Sequence, residues 1–157
     1  MSGDGDVVTI GRVRDGDLAE IMGNFGRFWN EPESGYLRGL HHAMFFVEFG
    51  DTAFVARNGR GEIAGYLLGL VAPTGDGYVH FVAVRDDARH LGLGRQLYEA
   101  FTAAARERGA SGLKAITSPE NTGSLTFHEN IGFTDMTRHE DYAGSGRTRI
   151  VMRKQLT

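Results

Sequence analysis

The spacing of hydrophobic and polar positions changes several times along the 157-residue chain, and each change predicts an element. Val7 to Val13 alternates and reads as a first strand. Asp15-Gly16-Asp17 is a turn, with Asp17 as a candidate helix N-cap. Leu18, Ile21, Met22, Phe25, Phe28 and Trp29 then recur at helical spacing. Gly23 and Gly26 interrupt them at a cost of about 1 kcal/mol each relative to Ala; they either permit close packing or end the helix early. Glu31-Pro32-Glu33-Ser34 opens a second helical stretch through Leu37, Leu40 and His41. Met44 to Phe49 is largely apolar, and over so short a run the spacing fits helix and strand alike.

Beyond Asp51 the pattern is clearer. Thr52 to Arg57 and Glu62 to Val71 read as strands joined by a turn at Asn58-Gly59-Arg60-Gly61. Thr74 to Gly77 turns the chain into a third strand, Tyr78 to Val84, apolar on both faces as a covered central strand is. These three form an antiparallel meander. Leu93, Leu97, Phe101 and Ala104 or Ala105 then mark a helix from about Leu91 to Glu107, closed by Gly109. Gly112 to Thr117 is a short strand, and strand, helix and strand make a β-α-β unit with a right-handed crossover. A short helix capped by Asn121 or Thr122 runs to Gly132. Phe133 to Tyr142 and Arg147 to Leu156 form a closing hairpin.

Composition narrows the classes of function. At this length one domain covers residues 1–157, with residues 1–5 expected to fray. A net charge of -3 argues against binding nucleic acid by phosphate neutralisation. No cysteine is present, which excludes disulfides, thiolate metal sites and cysteine nucleophiles; no metal site is expected. The polar, acidic start is unlike a signal peptide. No apolar run reaches membrane-spanning length. The expected setting is the cytoplasm, with no membrane partner.

The candidate chemistry begins between the third strand and the long helix, at Arg89-x-x-Gly92-x-Gly94. Two glycines at a helix start let a ligand approach the backbone closely. The unpartnered first-turn N–H groups and the helix dipole favour a phosphate. The dinucleotide fingerprint is not met, because Gly92-Leu93-Gly94-Arg95-Gln96-Leu97 lacks its third glycine, and no Gly-Lys-Ser/Thr follows.

The Arg/Gln-x-x-Gly-x-Gly/Ala pattern after a strand resembles the acyl-CoA loop of the GNAT superfamily of N-acetyltransferases. A second segment strengthens the resemblance. Asn121-Thr-Gly-Ser124-Leu-Thr-Phe127-His128-Glu129-Asn130-Ile131-Gly132-Phe133 is similar to the family's Asn…Phe-Tyr-Glu-x-x-Gly-Phe, one helix and one strand later. The resemblance spans Val7 to Leu156. It implies an α/β (α+β) fold: a mixed, mostly antiparallel sheet of six or seven strands flanked by helices, with a central splayed parallel pair. It also implies acetyl-CoA as co-substrate, a primary amine as acceptor on a small molecule or a protein, and the option of a homodimer through the C-terminal strands.

The resemblance further implies that Val82, Ala83 and Val84 offer backbone groups to the pantetheine arm. Arg89, His90, Leu91, Gly92, Leu93, Gly94 and Arg95 would hold the pyrophosphate, with Asn121, Ser124 and His128 along the arm. His128 stands where the family usually has Tyr as proton donor to the departing thiolate; it acts as that donor or only packs beside the cofactor. His80, placed two residues before Val82 and so on its face, and Glu48 are candidate bases. The adjacent His41 and His42 diverge on a helix and mark a substrate-side surface or nothing. Phe25, Phe28, Trp29, Tyr36, Phe45 and Phe46 wall the acceptor pocket or belong to the core; Tyr142 is similarly open. The expected activity is N-acetyl transfer by direct attack in a ternary complex. The alternative is a non-catalytic acyl-CoA-binding sensor, and thiol release with an amine panel separates the two.

Overall fold

A computed structural model describes residues 7–29 and 34–157. The frayed start and the predicted helix opening at Glu31 to Glu33 lie outside the described residues. Seven strands form one sheet: β1 (Thr9–Arg12), β2 (Ala53–Arg57), β3 (Ile63–Val71), β4 (Asp76–Val84), β5 (Gly112–Thr117), β6 (Asp135–His139) and β7 (Arg149–Gln155). Their order is β1-β2-β3-β4-β5-β7-β6. Only β4 and β5 run parallel; the other neighbours are antiparallel. The mixed sheet matches the expected architecture.

One face carries α4 (Leu93–Glu107) and α5 (Thr122–Asn130). Leu93, Leu97, Phe101, Ala104 and Ala105 form the buried stripe of α4, over Leu67, Val79, Leu113 and Met152. The other face carries α1 (Asp17–Gly23), α2 (Phe25–Phe28) and α3 (Ser34–Gly39). There Ile21, Phe28 and Phe45 pack on Val55, Tyr66 and Leu68. Because β3 is covered on both sides, its run Ile63 to Leu68 is apolar without alternation.

Several boundaries differ from the sequence pattern for local reasons. Of the two readings of Gly23, the early end is the one seen: α1 stops at Gly23, and a separate turn of helix, α2, follows Asn24. Gly16, with φ +89°, is the N-cap of α1 in place of Asp17. Asp17 instead accepts from the Arg14 N–H at 2.7 Å and pairs with Arg57 at 2.6 Å, both side chains largely buried. Met44 to Phe49 is neither helix nor strand: a 3-10 turn spans Ala43–Phe45, capped by the His42 imidazole. The strand expected from Phe133 begins at Asp135.

The contact between α4 and the sheet requires glycine at one position in particular. A Cβ on Gly69 of β3 would sit 2.6 Å from the Phe101 ring and 2.8 Å from the Tyr78 carbonyl oxygen. Gly69→Ala must therefore displace Phe101 or part the strands, and it is expected to destabilise the fold by about 2 kcal/mol. Urea unfolding of the two proteins checks this; equal midpoints would show that the packing relaxes freely.

Candidate active site

The site begins with hydrogen bonds that two neighbouring strands do not make. β4 pairs with β5 only from Asp76 to Val79, opposite Gly112 to Ala115. At the same point the register with β3 slips: Gly69 faces Val79 while Leu68 faces Phe81. His80 is the extra residue of a β-bulge, which bends the strand and disrupts its pairing. The bulge corrects the expected face of His80. His80 and Phe81 share the α3 side, their ring centroids 4.3 Å apart, whereas Val82 packs toward α4. Simple alternation had placed His80 with Val82. The available signal was Gly69, a glycine inside a strand, which marks a bulge or a close approach.

Past the bulge, β4 has a free edge. The Arg85 N–H donates to the Ala64 carbonyl on β3 at 2.8 Å. Counting back along an antiparallel strand, Ala83 faces β3, while the N–H and C=O of Val82 and Val84 face the gap toward β5. The Arg89 Nε–H reaches the Val84 carbonyl at 3.4 Å. The gap opens into a cleft of about 700 Å³ reaching from Asn121 and Ser124 on one side of the sheet to Trp29 and Tyr36 on the other.

At one end of this edge lies the glycine loop. His90 and Gly92 have φ of 74° and 75°. Gly92 is the N-cap of α4 and no side chain caps that end; the first helical bond is Gln96 N–H to Gly92 C=O at 3.1 Å. The N–H groups of Leu93, Gly94 and Arg95 thus have no partner within the helix. A Cβ on Gly94 would come within 2.9 Å of the Phe127 ring, so glycine lets the helix start seat against α5. The loop is braced from outside the site. Asp87 takes 2.6 and 2.7 Å bonds from Arg85 and Arg27, and chiefly the Arg85 bond holds its carboxyl below the ordinary range. Arg89 and Arg95 are exposed beside the loop, and Leu91 is exposed on it. An unpaired strand edge leading to an uncapped helix N-terminus fits a pantetheine arm ending in a pyrophosphate.

Asn121 caps α5: its Oδ1 accepts from the Ser124 N–H at 3.1 Å. His128, one turn beyond Ser124, is only 3% exposed. Its Nδ1 lies 2.7 Å from the Ser124 carbonyl, an acceptor, so Nδ1 carries the proton. Its Nε2, 2.7 Å from the Tyr98 hydroxyl, then accepts from Tyr98. Burial pushes the imidazole pKa below the ordinary histidine value, more than the Ser124 bond raises it. His128 is therefore neutral with both nitrogens engaged. The Ser124 hydroxyl lies 3.3 Å from the same Nδ1 and lines the cleft. Tyr98 was not singled out from the sequence; its only signal is a hydroxyl within the buried stripe of α4.

On the acceptor side, the His80 Nε2–H donates to the Leu40 carbonyl at 2.9 Å. Its Nδ1 is left as the lone-pair nitrogen, and burial lowers its pKa against the raising effect of that bond. The ring stacks on Phe45 at 4.2 Å. His41 is not on a substrate-side surface and does not line the cleft. It is buried, donating from Nδ1 to the Leu37 carbonyl and accepting at Nε2 from the Tyr66 hydroxyl, each at 2.7 Å. Tyr66 in turn accepts from the Trp29 indole N–H at 2.7 Å. Trp29, Tyr36 and Tyr142 line the cleft, whereas Phe25, Phe28 and Phe45 are buried in the core. Glu48 is exposed and not among the residues lining the cleft.

Comparison with known proteins agrees with this geometry. The family model for the Acetyltransferase (GNAT) family matches residues 18–133. L-methionine sulfoximine/L-methionine sulfone acetyltransferases of Pseudomonas aeruginosa and Pseudomonas paraeruginosa are 30% identical over 140 residues, covering 77% of this chain and 78% of theirs. Among solved structures, a GNAT-family protein of Desulfovibrio desulfuricans superposes with a TM-score of 0.76 at 23% identity, covering 96% of this chain and 100% of that one. The ribosomal-protein-S18-alanine N-acetyltransferase of Escherichia coli gives 0.72 at 20% identity, covering 96% and 95%. The chain belongs to the GNAT family of acetyltransferases, enzymes that use acetyl-CoA to acetylate amines.

Proposed function

We propose that this acetyltransferase modifies a small-molecule amine by direct attack in a ternary complex, with His80 as the base. The carrying observation is the state of His80. A carbonyl partner fixes its proton on Nε2, and burial keeps the ring neutral, so Nδ1 carries the lone pair on a ring that lines the cleft beside the free edge of β4. Two features favour a small acceptor. The bacterial relatives are named for acting on methionine sulfoximine and methionine sulfone. The loop before β7 also lies against the acceptor wall of the cleft, with the Arg147 guanidinium 5.7 Å over the Tyr36 ring.

Acetyl-CoA supplies the acetyl thioester when bound. Leu93, Gly94 and Arg95 amides, with Arg89, would hold its pyrophosphate, and Val82, Val84 and Asn121 its pantetheine arm. His80 Nδ1 takes a proton from the amine as nitrogen bonds to the acetyl carbon. The Val82 N–H meets the negative charge that develops on the carbonyl oxygen. With the His128 Nδ1–H committed to the Ser124 carbonyl, the Ser124 hydroxyl donates a hydrogen bond to the departing sulfur, which leaves as the thiolate and takes its proton from solvent. His128 positions Ser124. With no cysteine in the chain, no cysteine acyl-enzyme intervenes. The non-catalytic sensor is the weaker reading, because the family and the curated relatives are acetyltransferases.

Gly92→Pro cannot keep a φ of 75°. Calorimetric titration should show acetyl-CoA affinity falling about tenfold or more, as for loss of a charge-assisted contact, while circular dichroism stays native. Unchanged affinity would remove the pyrophosphate from this loop.

His80→Gln keeps an N–H for Leu40 and loses the base. Its kcat is expected to fall about 100-fold. In the wild type, kcat/KM should drop with acid below a pKa under the reference of about 6.5, because a lowered pKa keeps His80 neutral until more acid pH. That limb should vanish in the variant, leaving only the titration of the amine. A limb that survives belongs to another group.

A further inference from the structure

We propose that Arg149 binds a carboxylate, so that the acceptor is an amine carrying an acid group, as an α-amino acid does. The inference rests on the acetyltransferase reading above and adds the chemistry of the acceptor. Arg149 opens β7. Alternation sends Ile150 and Met152 into the core beneath α4, and so turns Arg149 to the opposite face, where it lines the acceptor part of the cleft with Tyr142 and Tyr36.

Its charge is unspent. Arg138 pairs with Glu140 at 2.8 Å and Arg153 with Asp76 at 3.1 Å. Arg149 is half-buried, donates from Nη1 to the neighbouring Thr148 carbonyl at 2.8 Å, and pairs with no carboxylate among the described residues. A partly desolvated guanidinium with free N–H groups is a strong, geometrically selective site for a carboxylate. Among the described residues that line the cleft there is no Asp or Glu to receive a second cation on the acceptor. The remaining wall, from Trp29, Tyr36, Tyr78 and Phe81, suits an uncharged side chain.

The site is also held in place before any ligand arrives. The loop leading into Arg149 is closed by the Gly146 N–H on Asp141 Oδ1 at 2.6 Å and by the Thr148 hydroxyl on Glu140 at 2.7 Å. A fixed base reduces the entropy lost on binding.

The test uses matched acceptors: L-phenylalanine, phenylalaninamide and phenethylamine; L-methionine sulfone and its carboxamide; and spermidine as a polycation. CoA release is measured for the wild type, Arg149→Gln, Arg149→Lys and Arg138→Gln. Acetyl-CoA titration confirms that each variant is folded. The acid of each pair should exceed its uncharged counterpart in kcat/KM by about 100-fold, the scale of a bidentate charge-assisted pair. That ratio should collapse in Arg149→Gln, mostly through KM, be partly kept in Arg149→Lys, and hold in Arg138→Gln. Equal turnover of acid and amide, preference for spermidine, or an acid preference that survives Arg149→Gln would overturn the assignment to Arg149 and leave the transferase reading standing. No release of CoA with any of these amines, despite firm acetyl-CoA binding, would overturn both.

Discussion

The parting of β4 from β5 is the constraint on which the rest of the site depends. Up to Val79 and Ala115 the two strands satisfy each other; one residue later the bulge at His80 takes β4 out of register. Unpaired backbone groups inside a protein are costly unless something else bonds them. Here the cost is confined to a short edge that opens on a cleft, and that edge is what an extended, amide-bearing arm can complete as an added strand would. The same bulge turns His80 and Phe81 onto one face, so a single backbone irregularity both opens the cleft and sets the direction of the candidate base.

Neutral imidazoles hold the acceptor wall to the sheet. The end of α3 offers two carbonyls: that of Leu37, which also accepts the Leu40 N–H at 3.1 Å, and that of Leu40 just beyond the helix. His41 bonds that of Leu37 and His80 bonds that of Leu40. His41 also accepts a hydrogen bond from the Tyr66 hydroxyl, and Tyr66 accepts one from the Trp29 indole N–H, so the chain from Trp29 through β3 to α3 is one run of donors and acceptors. It works only with His41 neutral, and burial chiefly lowers its pKa to keep it so. On the far side of the sheet the Tyr98–His128–Ser124 run follows the same logic. In both runs a buried tyrosine hydroxyl donates to a buried imidazole, and in both the imidazole spends its own proton on a helix carbonyl.

Element order, the parallel pair and the glycine loop were legible in the chain because each is written in local signals: alternation, helical spacing, and glycines at a helix start. The boundaries of α4 and β5 follow the residues closely, with Gly92 and Gly109 as punctuation. The first third was less legible, because helix breaks at Gly23 and a 3-10 turn at Ala43 depend on what the segment packs against. Misplacing His80 had one cause, a bulge whose only trace is Gly69 on the neighbouring strand. The bonding role of His41 and the presence of Tyr98 beside the site were not legible, since their partners Tyr66 and His128 lie 25 and 30 positions away. Arg149 gave no sign at all: a lone arginine at a strand start acquires meaning only once the cleft is built around it.

The central claim is that the backbone of β4 beyond the bulge is an unpaired edge that acetyl-CoA completes. Residue-resolved amide hydrogen exchange, with and without acetyl-CoA, tests it most directly. The account predicts that the Val82 and Val84 amides exchange readily in the free protein and become protected on binding, while Ala83, already bonded to β3, changes little. Saturable acetyl-CoA binding that leaves Val82 and Val84 unprotected would contradict it.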